Sequence, residues 1–383
     1  MVALPTLSSL TVVPGQRVLV RGSLNVPLTP QGEPRNTLRL RRILPTLRWL
    51  RERGACVALC GHIGSDGAQS TRPLARWFAS ALGENVEFAA DFAQAHQAFA
   101  GGSPFVLLEN LRRWEGEKAN DPIFARSLAA LADVYVNEAF AASHRRHASI
   151  VGVPRLRSAY AGFAFAEEVE ALSRTLAPPA ASLMILGGAK ITTKLPLLLR
   201  ALERYQFVVI GGVLANDVWH AQGWETGRSM LSEVAREDLA PLVHHPKVVL
   251  PVDVVACHPV RGARVCPPSE VQKDEEIVDA GPQTIAGIAE RAGQMDLVVW
   301  NGPLGNYERG FAAQTEALAR ALARVNATTI VGGGDTVASI DRLGLLERYS
   351  FVSTGGGAML QFLTDGTLPG IAALEASLEK HVT

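Results

Sequence analysis

The sequence predicts an α/β protein built from two doubly wound parallel-sheet lobes joined by a helix, and three observations predict it. Short apolar strands alternate with longer helical stretches along most of the 383 residues, the pattern that places helices on both faces of a parallel sheet. In the second half, strand after strand ends in glycine. Between the halves, AGFAFAEEVEALSRTLAPPA reads as one helix closed by Pro178 and Pro179.

Taken in order, RVLVRG, ACVALCG, FVLLEN and DVYVNEAF are the strands of the first half, separated by helical stretches such as LRLRRILPTLRWLRERG and RPLARWFASALG. The second half repeats the plan with SLMILGG, FVVIGG, VVLPVDVV, LVVWNG, TTIVGGGD and SFVSTGGG. Ligands of open parallel sheets sit beyond the carboxyl ends of the strands, so this row of glycines outlines a nucleotide-sized edge. The expected organisation is a first lobe over 1–158, a connecting helix over 159–179, a second lobe over 180–369 and a terminal segment over 370–383.

Composition narrows the class. With 48% hydrophobic residues and 35 glycines the chain has ample core for about two domains. Formal net charge is zero, yet residues 1–158 carry 19 Lys and Arg against 12 Asp and Glu, a local +7, and the remainder carries −7. The cations of the first half are almost all arginine, whose rigid fork suits carboxylate and phosphate, so a small anionic substrate is expected there. No basic run is interleaved with aromatics, which argues against nucleic acid. No apolar run approaches a membrane span and no signal peptide is legible. Cys56, Cys60, Cys257 and Cys266 form no CxxC pair and read as reduced thiols of a cytoplasmic protein.

The most chemical segment is GGAKITTKL at Gly187–Leu195. It places Lys190 and Lys194 at a strand-to-helix turn, where backbone N–H groups and a helix N-terminus favour anions. Taken alone, it reads equally as a glycine turn followed by two solvated lysines. Neither GxxxxGK[ST] nor GxGxxG occurs, which disfavours P-loop and nicotinamide enzymes.

GGAKITTKL, WNGPLGNYE, VGGGDT, STGGGA and LPG occur in the order seen in phosphoglycerate kinases, and RGSLNVP, TLRLRRILPT, GHIG, LLENLRR and VNEAFAASHRRHAS resemble that family's N-terminal motifs. The resemblance spans essentially the whole chain. It implies a two-lobed kinase, with its active-site cleft between the lobes, moving a phosphoryl group reversibly between ATP and the carboxylate of 3-phosphoglycerate. It also implies hinge bending, a C-terminal segment returning to the first lobe, ATP or ADP as co-substrate, Mg²⁺, and a monomer.

Residue by residue, the resemblance makes Arg39, Lys190, Gly333 and Gly356 the catalytic set. The nucleotide set is Gly188, Lys190, Lys194, Gly211, Gly281, Asn301, Pro303, Glu308, Gly332, Gly333, Gly334, Asp335 and Thr336. Lys194 corresponds to the lysine of the inner phosphates, Glu308 to the carboxylate that accepts ribose hydroxyls, and Asp335 to the magnesium ligand. Ser23, Asn25, Arg39, His62, Arg112 and Arg145 occupy acceptor positions. Two of the family's acceptor ligands are absent: Ser23 stands for an aspartate, and Ser65 for an arginine, with Asp66 adding a negative charge. Arg113 and Arg146 are extra cations nearby, candidates for a repositioned anion site. Smaller departures are Val213 for glycine, Glu138 for aspartate and Gln361 for glutamate. These changes keep two alternatives open, a kinase for a different small acid and a nucleotide-binding relative with little turnover.

Overall fold

A computed structural model describes residues 4–189 and 191–382. The chain divides into two compact units, one of residues 1–170 with 367–383 and the other of residues 171–366. In the first, β1 (Arg17–Gly22), β2 (Cys56–Cys60), β3 (Glu87–Ala89), β4 (Phe105–Leu108), β5 (Val134–Glu138) and β6 (Ser158–Ala161) form a parallel sheet in the order β3-β4-β2-β1-β5-β6. β1, β4 and β5 are buried along almost their whole length, as strands covered on both faces must be. Val18, Val20, Val57, Leu59, Phe105 and Leu107 form one core with Leu40, Ile43 and Leu47 of the helix Leu38–Glu52.

The second unit repeats this architecture. β7 (Ser182–Leu186), β8 (Phe207–Ile210), β9 (Val248–Val249), β13 (Leu297–Asn301), β14 (Thr328–Gly332) and β15 (Phe351–Val352) pair in parallel in the order β15-β14-β13-β7-β8-β9. A small antiparallel sheet interrupts the series: β10 (Val254–His258) lies between β11 (Gly262–Cys266) and β12 (Glu276–Ala280). The segment VVLPVDVV therefore serves two sheets rather than one strand. Val248 and Val249 pair with β8, whereas the chain beyond Pro251 turns into β10, because proline has no N–H to continue a ladder.

The connecting helix is shorter than the sequence suggests, spanning Phe163–Ser173. Before it, residues 158–161 form β6, and after it the Thr175 hydroxyl donates to the Leu172 carbonyl at 2.6 Å, ending the helix ahead of the proline pair. The division between units falls inside this helix, at 170/171. The C-terminal helix Pro369–Val382 packs on β6 and on residues 148–155 within the first unit. There the Gly370 N–H donates to the Ser143 carbonyl at 2.9 Å and the Ala159 N–H donates to Ser377 Oγ at 3.2 Å.

Candidate active site

In the second unit four strands of the parallel sheet run into glycine turns and then into helices. β7 leads through Gly187 and Gly188 to the helix Ile191–Arg204, and β8 through Gly211 and Gly212 to Val213–Ala221. β14 leads through Gly333 to Gly334–Arg342, and β15 through Gly356 to Gly357–Asp365. Gly187 is required by close approach, since a Cβ there would lie 2.1 Å from the Pro303 carbonyl oxygen; Gly333, at φ +97°, is required by conformation. The turns line one cavity of about 530 Å³. Free N–H groups at such helix starts favour anions.

Lys194 is a buried cation in the cavity wall. Its ammonium donates to the Gly187 carbonyl, and burial pushes its pKa down to about 8 against the opposing pull of Asp335. Asp335 opens the helix Gly334–Arg342. Gly188, Lys194, Asn301, Pro303, Glu308, Gly333, Gly334, Asp335 and Gly356 all line the cavity. Glu308 stands exposed at its rim.

Four expected nucleotide residues do not line the wall; they support it. A Cβ at Gly211 would lie 2.5 Å from Leu304, at Gly281 2.2 Å from the Asp253 carboxylate, and at Gly332 2.2 Å from the Met359 sulfur. These glycines admit neighbouring side chains, and Thr336 is fully buried. Lys190 lies outside the described residues. Asn216, Trp219, Met230 and Ile277 line the cavity although sequence reasoning passed over them; ANDVW carries no chemical motif, and only its place after Gly211 and Gly212 pointed to the site.

In the first unit the expected acceptor residues gather at the carboxyl ends of adjacent strands β4, β2, β1 and β5. Asn25 is the hub after β1. Its Oδ1 accepts from the Gly64 N–H at 2.9 Å and its carbonyl accepts from Arg39 at 2.8 Å. Arg112, after β4, donates to the Gly64 carbonyl, while its Nε is buried without a partner among the described residues. Arg39 and Arg112 both have their pKa lowered by burial.

His62 sits 2.9 Å, through Nδ1, from the guanidinium of Arg21, a fully buried residue of β1. Burial first, and then the guanidinium charges of Arg21, Arg112 and Arg39 with a further push from His147, hold the His62 pKa down to about 2. Arg21 also donates to Ser149 Oγ at 3.1 Å, and that hydroxyl donates to Glu117 at 2.6 Å. Arg145 and Arg146 are exposed, whereas Ser23 is half-buried. Arg113 is committed elsewhere, bound to Glu109 at 2.7 Å. Asp66 accepts from the Ala68 N–H at 3.0 Å, and this and its own backbone amide hold its carboxyl below the usual range. It shapes a turn and stays ionised.

A family model described as phosphoglycerate kinase matches residues 8–366. The phosphoglycerate kinase of Azorhizobium caulinodans is 40% identical over 384 residues, covering 94% of this chain and 96% of the relative. That of Rhodospirillum centenum is 39% identical over 397 residues, covering 98% and 100%. The structure of phosphoglycerate kinase from Coxiella burnetii superposes with a TM-score of 0.82 at 34% identity, covering 98% of this chain and 99% of that one. The Pyrococcus horikoshii enzyme gives 0.87 at 29%, covering 98% and 100%.

Proposed function

The chain belongs to the phosphoglycerate kinase family of phosphotransferases, and from that premise we propose that it transfers a phosphoryl group reversibly between ATP and the carboxylate of 3-phosphoglycerate, giving ADP and an acyl phosphate. The observation that carries this reading is the cavity of the second unit, where Lys194, Asp335 and the turns before four helices converge. Phosphoryl transfer through a loose transition state depends on positioning and on compensating negative charge, and these groups supply both.

The backbone amides and Lys194 take the phosphates, Glu308 takes the ribose hydroxyls, and Lys190 and Arg39 stand by family resemblance at the transferring group. Among the described residues no cluster of three His, Cys, Asp or Glu side chains forms a resident metal cage. A single carboxylate fits Mg²⁺, which keeps waters and takes its other oxygens from phosphates. Asp335 would hold it, and the ion would neutralise phosphate charge during transfer. The acceptor is held by Asn25, Arg39, His62, Arg112 and Arg145. The four free thiols support a reducing, cytoplasmic setting.

The test is a coupled assay of ATP consumption with 3-phosphoglycerate and a panel of other small acids. Turnover that depends on 3-phosphoglycerate is expected; equal ATP loss with and without every acid refutes the reading. The serines at 23 and 65 favour a second reading, an acceptor lacking the hydroxyl or distal phosphate that those positions serve in the family. Ser23→Asp with Ser65→Arg separates the two. A fall of about tenfold in the KM for 3-phosphoglycerate, as one regained charged contact gives, supports the first; a gain from near nothing with loss of activity on another acid supports the second.

A further inference from the structure

We infer that Ser149 is a positioning residue for the acceptor site, aiming the buried Arg21 guanidinium at His62 so that the imidazole presents Nε2–H to the acceptor. The inference rests on the reading of the first unit's arginine and histidine cluster as that site. Arg21 on β1 and Ser149 in the segment Ala148–Gly152 are both fully buried. Arg21 spends each nitrogen on a different partner: Nε donates to Ser149 Oγ at 3.1 Å, Nη1 to the Gly22 carbonyl at 2.5 Å and Nη2 to His62 Nδ1 at 2.9 Å.

Every link in this chain has one direction. A guanidinium has no acceptor, so the Ser149 oxygen accepts from Nε and its own proton must go elsewhere. It goes to Glu117, buried on the helix Glu115–Ala119, whose Oε1 accepts the hydroxyl at 2.6 Å while Oε2 accepts the Ser149 N–H at 2.9 Å. The Ser149 carbonyl in turn accepts from the Tyr135 hydroxyl at 2.7 Å. With its N–H, C=O and hydroxyl proton all engaged, Ser149 turns its remaining lone pairs to Arg21. At the far end His62 Nδ1 accepts, which leaves the ring proton on Nε2. His62 keeps 8% of its surface, and Nε2 has no partner among the described residues yet is not one of their sealed polar atoms.

Geometry and charge are divided between two residues. A guanidinium out of water needs a counter-charge, and Glu117, one hydroxyl away, supplies it. Ser149 carries no charge, so losing its hydroxyl leaves the ion pair in place and removes only the aim of Arg21. The imidazole then regains a choice of tautomer. In the Nδ1–H form its Nε2 sets a lone pair against an anionic acceptor instead of a donor, which repels where it should bind.

The experiment is nitrogen NMR of the full chain, wild type and Ser149→Ala, together with KM measurements for 3-phosphoglycerate and ATP. The wild-type chain is expected to hold His62 as Nε2–H alone, with that resonance moving when 3-phosphoglycerate is added. Ser149→Ala is expected to populate the Nδ1–H form and to raise the KM for 3-phosphoglycerate by about tenfold, the loss of one well-placed donor to an anion, with the KM for ATP within about twofold. A single unchanged tautomer in Ser149→Ala overturns the inference, and so do equal rises in both KM values, which mark a merely structural serine. A wild-type His62 in the Nδ1–H form, or one whose Nε2–H resonance ignores every acid the chain turns over, overturns it with no variant needed. A wild-type chain that turns over another acid but not 3-phosphoglycerate overturns the acceptor reading alone, and the positioning role is then decided by the same tautomer shift and by the KM for that acid.

Discussion

At the end of β1 the buried Arg21 guanidinium reaches Ser149, the Gly22 carbonyl and His62, and these contacts fix the chemistry of the imidazole. An arginine only donates, so the His62 Nδ1 must accept and the proton must sit on Nε2. With its pKa pushed down to about 2, His62 is a neutral donor throughout the working range. Nitrogen NMR of the folded chain should show His62 as the Nε2–H form with no titration between pH 5 and 8; a midpoint near the ordinary histidine value would contradict the geometry. Lys194 makes a second expectation. Lys194→Gln keeps a donor for the Gly187 carbonyl but removes the charge, so it should weaken Mg-ADP binding by roughly tenfold to a hundredfold, the range for a charge-assisted contact. Unchanged affinity by calorimetry would remove Lys194 from the phosphate site. The positions of Asn25 in NVP and Asp335 in VGGGD, just beyond β1 and β14, were legible from the strand pattern. Arg113 was not, because only the fold brings Ser70 and Thr71 to its partner Glu109.

The connecting helix shows how an element depends on a distant side chain. Glu138 ends β5 and is buried against the helix start, where the Phe165 N–H donates to Oε2 at 2.9 Å, the Ala164 N–H to Oε1 at 3.3 Å, and the Thr46 hydroxyl to Oε1. A Cβ on Gly162 would lie 2.3 Å from this carboxyl group, so the residue before the helix has to be glycine. Burial raises the Glu138 pKa from 4.5 to about 7, against the donors and the nearby Arg42. The sign follows: the folded state holds this proton more tightly than the unfolded chain, so the contribution is full below about pH 4.5 and is lost as pH rises through about 7. Glu138→Gln keeps the shape without titrating. Between pH 5 and 7.5 the wild-type chain should lose on the order of 2 kcal/mol more stability than the variant, measured by urea unfolding at each pH; parallel profiles would refute the assignment. Elements were the most legible level of this chain, since every predicted strand run contributes to a strand. Their edges were not. The division of VVLPVDVV between two sheets depends on β11 and β12 being present to receive β10, a tertiary pairing that local apolar pattern does not encode.

For the whole molecule, the order of the chain and the order of the units differ, because residues 367–383 belong with 1–170. The physical cause is apolar. Ile371 and Leu374 of the C-terminal helix are fully buried, and Ala373 packs against Ala139, Ala142, Ile150 and Val151. Two such side chains alone stabilise by roughly 3–6 kcal/mol, a large share of the about 5–15 kcal/mol that holds a typical domain folded. A chain ended at Gly366 should therefore lose protection in its first unit while its second unit, complete within 171–366, keeps its fold and its nucleotide cavity. Hydrogen exchange followed by mass spectrometry reads the two units separately, and Mg-ADP titration reports on the second alone. Faster exchange in β5, β6 and residues 148–155 with nucleotide affinity retained is the expected outcome. Unchanged protection in the first unit would mean that the terminal helix contributes little to its stability, and loss of nucleotide binding together with protection throughout would mean that the second unit does not fold by itself.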